Sequence, residues 1–462
     1  MKRYFFGKEP RAVATFVCHI VNGTDQRARE LLEHELTRSS FDRRDRDLTT
    51  ELVYGTLRRR GTLDQVVGQF VRRPLANVQP RVLEILRLGA YQLLFLDKVP
   101  ASAAVNEAAR IAGRVGSRGT VGFVNGCLRA LSRAIVAKGP TAGEDPRRAL
   151  PRGDGEFCVL SRAVLPDPER SLASYLAAAW SHPEWLVRRW LGRYGEATTR
   201  RLCEQGNAHP GVVLRVNHLR TTRDGLAAEL RRTGRWPTPV GPDHLMLDRA
   251  GDLGDLRAVA DGLCTVQGVA ASMAAVWLAP RPGERVLDVC AAPGSKACQL
   301  AELAGGQATV VALDVSQRRI RQVAENGRRL GARTLLPVVG DGCACERLFA
   351  EPFDAVLVDV PCSNTGVLAR RVECRWRLSP ERIAEVAALQ RRLLAAAAPV
   401  VRPGGRLVYS TCSLEPDENE QAVESFCRDH PQFQVAQAEN ILPPDTGDDG
   451  GYLALMRRAD QE

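Results

Sequence analysis

Two cysteines stand where the chain would offer a nucleophile to a pocket. Cys362 lies in Asp359-Val360-Pro361-Cys362 and Cys412 in Thr411-Cys412-Ser413. Each follows a short apolar run, Phe353-Asp354-Ala355-Val356-Leu357-Val358 or Arg406-Leu407-Val408-Tyr409-Ser410, that reads as a buried strand. In an open parallel α/β sheet, ligands bind outside the carboxyl ends of the strands. Two thiols at neighbouring ends would therefore face one pocket, and the chemistry they suggest is thiolate attack on an electrophilic ring carbon. Either cysteine alone reads as a small buried hydrophobe. The pair carries the reading.

The other strand ends hold a second constellation. Asp288-Val289-Cys290-Ala291-Ala292-Pro293-Gly294-Ser295-Lys296 joins a strand to a helix, and its small residues let backbone N–H groups approach a ligand at the helix N-terminus. It has neither the G-x-G-x-x-G pattern nor the Walker order Gly-Lys-Ser/Thr, which weakens dinucleotide and nucleoside-triphosphate readings. Asp314 closes the next strand, where a carboxylate accepts both ribose hydroxyls. Asp341 ends the third, placed to accept from an adenine amino group. One acid per strand end, with no phosphate cradle, fits a positively charged adenosyl cofactor, S-adenosylmethionine.

The elements that must position these residues follow from periodicity. Residues 276–462 alternate strand and helix, which predicts an α/β, Rossmann-like doubly wound sheet. Strands are expected at 285–290, 308–314 and 335–341, with helices at Lys296–Leu303 and Ser316–Leu330. A helix between the two cysteine strands starts with Ser379 as N-cap, Pro380 at the first position and Glu381 in the first turn. It runs to about Val401, before Pro403-Gly404-Gly405. Residues 1–137 keep a 3.6 period, with Leu83, Leu86, Ala90, Leu93 and Leu94 on one face, and predict an all-α bundle. Residues 138–170 read as a Gly/Pro-rich linker and 171–275 as a small α+β connecting segment.

Composition sets the bounds. A chain of 462 residues predicts two or three domains, and 44% apolar content supplies real cores. No apolar run approaches the roughly 20 residues of a membrane span. The basic start, Met1 to Lys8, has no apolar stretch of a secretory signal behind it. Thirteen cysteines without a CxxC pair fit a reducing cytoplasm, and neither cysteine nor histidine spacing suggests a metal site. The net charge is +10, and residues 1–136 alone hold 23 Lys and Arg against 13 Asp and Glu. A basic helical region suits a polyanion such as nucleic acid. Arg58-Arg59-Arg60 reads equally as a phosphate contact or as a solvated helix end.

Three motifs carry a resemblance to a known family: Cys290-Ala291-Ala292-Pro293-Gly294-Ser295-Lys296, Asp359-Val360-Pro361-Cys362-Ser363-Asn364-Thr365-Gly366 and Tyr409-Ser410-Thr411-Cys412-Ser413. They resemble the motif set of RNA 5-methylcytosine methyltransferases. Glu51-Leu52-Val53-Tyr54-Gly55-Thr56-Leu57-Arg58, Ala104-Val105-Asn106-Glu107-Ala108 and Gly122-Phe123-Val124-Asn125-Gly126 are similar to a NusB-like RNA-binding domain. Together they resemble the RsmB/Sun (Fmu) family of small-subunit ribosomal RNA cytosine-C5 methyltransferases over nearly the whole chain.

That resemblance implies roles position by position. Cys290, Ala291, Ala292, Pro293, Gly294, Ser295 and Lys296 would hold the methionine end of S-adenosylmethionine, Asp314 the ribose and Asp341 the adenine. Asp359 would lie between cofactor and target base. Which thiol attacks is open on chemistry alone, because DNA enzymes of this type use the Pro-Cys thiol. The NusB-like half favours RNA, and with it Cys412 as nucleophile and Cys362 as the aid to product release. Lys296 is a candidate for lowering the thiol pKa. The partner would be ribosomal RNA and the chain a monomer. The alternatives are a transfer RNA cytosine methyltransferase and a non-catalytic RNA-binding factor; intact cofactor acids and both cysteines speak against the second.

Four departures from the family pattern stand out, of which Val360 in place of alanine is a modest change of bulk. Ser295 replaces a glycine, at a cost of about 1 kcal/mol if the position needs positive φ. Gly268 replaces an aspartate, removing a hydrogen bond. Val372-Glu373-Cys374 replaces His-Pro-Asp, which predicts altered RNA contacts.

Overall fold

The computed structural model describes residues 6–248 and 256–460, so the basic start at Lys2 and Arg3 and part of the connecting segment lie outside the described residues. The chain forms two compact units, Met1–Ala208 with Leu368–Arg377, and His209–Val367 with Leu378–Glu462.

The first unit begins with helices Pro10–Gly23, Ala28–Thr37, Arg43–Arg58, Arg60–Gly68, Pro80–Phe95, Ala101–Val115 and Arg118–Ala134. Their starts follow local chemistry: proline opens the first and fifth, and Asp42 caps the third by accepting the Asp45 N–H at 2.8 Å. The apolar stripe closes on itself, with Leu52, Leu57, Leu63, Leu86 and Leu94 essentially unexposed.

The expected linker is folded. Strands β1 (Ile135–Gly139), β2 (Ala149–Gly153) and β3 (Glu156–Leu160) form an antiparallel sheet in the order β1-β3-β2. Its glycines lie at strand ends and turns: Gly139, Gly143, Gly153 and Gly155, with Asp154, all have positive φ. Leu150, Cys158 and Leu160 are fully buried in the helical core. Helices Leu172–Ala179 and Glu184–Gln205 follow, the latter broken at Gly195, so the connecting segment divides near residue 208 rather than forming one body.

In the second unit a small antiparallel sheet, β4 (Val212–Val216), β5 (Thr238–Pro239), β6 (His244–Leu247) and β7 (Cys264–Val266), has the order β5-β6-β4-β7. The main sheet comprises β8 (Arg285–Val289), β9 (Thr309–Asp314), β10 (Leu335–Val339), β11 (Phe353–Asp359), β12 (Val401–Thr411), β13 (Phe433–Ile441) and β14 (Gly451–Arg458). Its order is β10-β9-β8-β11-β12-β14-β13, with β8 to β12 parallel and the last two strands antiparallel. The central strands read as uninterrupted apolar runs because helices cover both faces; Val356, Leu357, Leu407 and Val408 are fully buried.

The small sheet braces the helix that follows the cofactor loop, Ser295–Leu303. Buried Arg215 pairs with Glu302 at 2.5 Å, and Gln267 donates to Gln299 at 2.8 Å. A buried ion pair of this kind is by itself weak evidence of added stability, because desolvation offsets its attraction.

Candidate active site

Strands β11 and β12 are neighbours in register, Asp359 opposite Ser410, so the two cysteine loops leave the sheet side by side. The Sγ atoms of Cys362 and Cys412 are in contact at 2.6 Å. Cys362 Sγ also accepts the Cys412 backbone N–H at 3.3 Å, and Cys412 Sγ faces Asn364 Oδ1 at 3.4 Å. Asn364 holds a left-handed φ of 64° and donates its amide to the Cys362 carbonyl at 2.7 Å. The hydrogen bond with Cys412, burial, and the nearby charges of Cys412 and Glu418 all push the Cys362 thiol up.

The strand-end acids line the same edge. Asp359, at the end of β11, binds Lys296 Nζ at 2.8 Å. Burial disfavours the Lys296 charge, but the Asp359 carboxylate outweighs it and holds the lysine pKa above the ordinary value. Asp314 is buried, accepts the Ser316 N–H at 2.9 Å and pairs with Arg319 at 3.1 Å. Asp341 is exposed and accepts the Cys343 N–H at 2.9 Å. Among the loop residues, Cys290 has φ 68° and Gly294 φ 100°. A Cβ at Gly294 would meet the Val323 backbone at 3.1 Å, so glycine is required there by both conformation and space. Burial and the surrounding carboxylates push the Cys290 thiol far up, leaving it protonated and inert.

Sequence reasoning missed Asp288. It is fully buried on β8, and neither carboxylate oxygen has a hydrogen-bond partner among the described residues. Burial, then the Asp359 charge, pushes its carboxyl well above the usual range. A row of acids containing one orphaned carboxyl suits a cationic, phosphate-free ligand. Its only signal in sequence is an acid inside an otherwise apolar strand.

The departures resolve on geometry. Ser295 opens its helix with ordinary φ, so the strained position is Gly294 and serine carries no such cost. Gly268 caps helix Val269–Leu278, and the carboxylate missing there is supplied by Asp448, which accepts the Val269 N–H at 3.0 Å. A side chain at Gly268 would crowd that oxygen, at 2.7 Å from an added Cβ. The altered loop is packed at two points: Val372 and the neighbouring Arg375 are fully buried. Arg58 and Arg59 are buried too, neither solvated nor free for phosphate.

A mixed sheet with strand-end acids and a small-residue loop opening a helix has the form of a Rossmann-like methyltransferase domain. Comparison with known proteins agrees. Residues 275–454 match the model for 16S rRNA methyltransferase RsmB/F, residues 8–133 the NusB family and residues 182–254 the RsmF/B-like ferredoxin-like domain. The chain is 34% identical to the probable ribosomal RNA small subunit methyltransferase B of Synechocystis, over 97% of this chain and 99% of the relative. Its identity to the probable ribosomal RNA small subunit methyltransferase B of Bacillus subtilis is 31%, over 93% and 94%. A solved structure, PH0851, shares the fold at a TM-score of 0.78 and 24% identity, covering 97% of this chain and 99% of that one. The chain belongs to the RsmB family of ribosomal RNA small subunit methyltransferases. Among the described residues, no helix is long and apolar enough to cross a membrane.

Proposed function

We propose that the protein methylates C5 of a cytidine in 16S ribosomal RNA through a covalent bond between Cys412 and C6. The observation that carries this reading is the contact of two thiols at neighbouring strand ends, beside an acid-lined loop. S-adenosylmethionine, bound there, supplies an electrophilic methyl group. Residues 290–296 would hold its methionine end, Asp314 its ribose and Asp341 its adenine, while the carboxyl of Asp288, once ionised, would answer its positive charge.

Cytosine C5 is a poor nucleophile until a thiolate adds to the ring. Cys412 Sγ, as the thiolate, would form a bond to C6, and the C5=C6 electron pair would move to C5, which takes the methyl group as the methyl–sulfur bond breaks with its pair on the departing thioether. Asp359, oriented by Lys296, accepts a hydrogen bond from the exocyclic amine and so positions the base. In the second half, the C5 proton passes to water, its electron pair restores C5=C6, and the C6–S bond breaks with its pair returning to Cys412. The S–H of Cys362, held protonated, donates to that departing sulfur. This is the aid to release.

Single-turnover assays with a 16S RNA fragment test the assignment. Cys412→Ala abolishes 5-methylcytosine and forms no adduct, whereas Cys362→Ala accumulates an RNA–protein adduct stable to denaturation. Adduct in Cys412→Ala would reverse the roles.

A further inference from the structure

The carboxylate of Glu418 spans the two cysteine loops. Its Oε2 accepts the backbone N–H of Ser363, the residue after Cys362, at 2.8 Å. Its Oε1 accepts the hydroxyl of Ser413, the residue after Cys412, at 2.7 Å. Gln390 donates to the same Oε2 at 2.9 Å and to the carbonyl of Pro361, the residue before Cys362, at 2.8 Å. The residue before Cys412 is tied as well: Thr411 donates to Asn419 at 2.6 Å, and Asn419 donates to the Ser413 carbonyl at 2.9 Å. Tyr409 closes the network from β12 by donating to the Glu418 main-chain carbonyl at 2.7 Å.

Glu418, Asn419, Gln390 and Ser413 are all fully buried. The hydrogen-bond donors to the Glu418 carboxylate are neutral: a backbone amide, a side-chain amide and a hydroxyl. Burying a carboxylate on neutral donors alone is costly, and such an arrangement persists where the geometry it enforces matters. Here that geometry is the placement of two sulfurs.

We propose that Glu418 is a positioning residue for the thiol pair: by bridging the residue that follows each cysteine, it keeps Cys362 against Cys412 through addition and release. The inference rests on the assignment of Cys412 as attacker and Cys362 as helper. Its charge acts in the same direction, because a carboxylate below Cys362 opposes ionisation and preserves the S–H that meets the departing sulfur. No covalent step passes through Glu418 itself.

The test compares the full-length protein with Glu418→Gln and Ser413→Ala. Glu418→Gln keeps the size but sets an amide where three donors converge and removes the charge. Turnover on the 16S fragment should fall about thirtyfold with cofactor affinity held, and the adduct should accumulate because release slows. In a Cys412→Ser background, the midpoint of Cys362 alkylation by iodoacetamide should fall by about one pH unit in Glu418→Gln. A residue that merely supports the fold would not move that midpoint. Ser413→Ala cuts only the Cys412 side of the bridge and keeps the charge, so release should slow about tenfold with the midpoint unchanged. Wild-type release in both variants, or reduced turnover with an unmoved midpoint in Glu418→Gln, overturns the proposal. A wild-type protein that makes no 5-methylcytosine would instead overturn the functional reading, leaving the alkylation comparison to judge the bridge.

Discussion

The two units offer two contrasting buried ionisable groups. In the first, Arg375 is fully buried and donates to the carbonyls of Ser181 at 2.9 Å, Gly206 at 2.6 Å and Leu368 at 3.1 Å, while Arg59 donates to Pro151 and Arg152. Burial, with Arg58 and Arg59 nearby, lowers Arg375 to about 9. In the second, the buried acid Asp288 has no hydrogen-bond partner for either carboxyl oxygen among the described residues. A cation bonded to backbone carbonyls ties chain segments together and is complete. A buried carboxyl without a hydrogen bond is costly to ionise.

Three substitutions would break or sharpen this contrast. Arg375→Met leaves three buried carbonyls without a donor and should cost on the order of 4 kcal/mol of stability, read by chemical denaturation. A loss near zero would mean those bonds hold nothing. Asp288→Asn should lose about 1.4 kcal/mol of cofactor binding, a factor of about ten, with no loss of stability in the ligand-free protein. The pH dependence gives the sign. The unfolded carboxyl titrates near 3.9 and the folded one higher, so the folded form binds the extra proton between those values. Ligand-free stability should therefore fall as pH rises through that window, and cofactor affinity should rise as Asp288 ionises. Thermal melts and calorimetry on Asp288→Asn should show both slopes flattened; unchanged slopes would assign them to another acid. Smallest is Asp448→Asn, which weakens a helix cap provided from a distant part of the chain and should cost about 1 kcal/mol or less, measured by thermal melting.

Periodicity made the helices of the first unit and the parallel strands legible, because each buries a stripe or a whole run and the sequence shows it. The pairing of Cys362 with Cys412 was legible for the same reason, since consecutive parallel strands tend to be neighbours. Strand β13 was not, because every residue between Phe433 and Ile441 is exposed and no alternation marks it. Glu418 was hidden differently. In Glu415-Pro416-Asp417-Glu418-Asn419-Glu420 it reads as one member of a solvated acidic run, and only tertiary packing shows that it lies inside. Arg58 and Arg59 misled in the same sense. Charge in a sequence says nothing of burial when backbone carbonyls can serve as partners.

The strap Leu368–Arg377 is encoded within the catalytic half yet folds into the first unit, where Arg377 caps the carbonyls of Val21, Thr24, Asp25 and Gln26. Modular exchange between relatives is therefore discontinuous in the gene. A chimera that replaces residues 1–208 alone would pair a foreign bundle with a native strap, so the ten residues from Leu368 to Arg377 must travel with the bundle they complete.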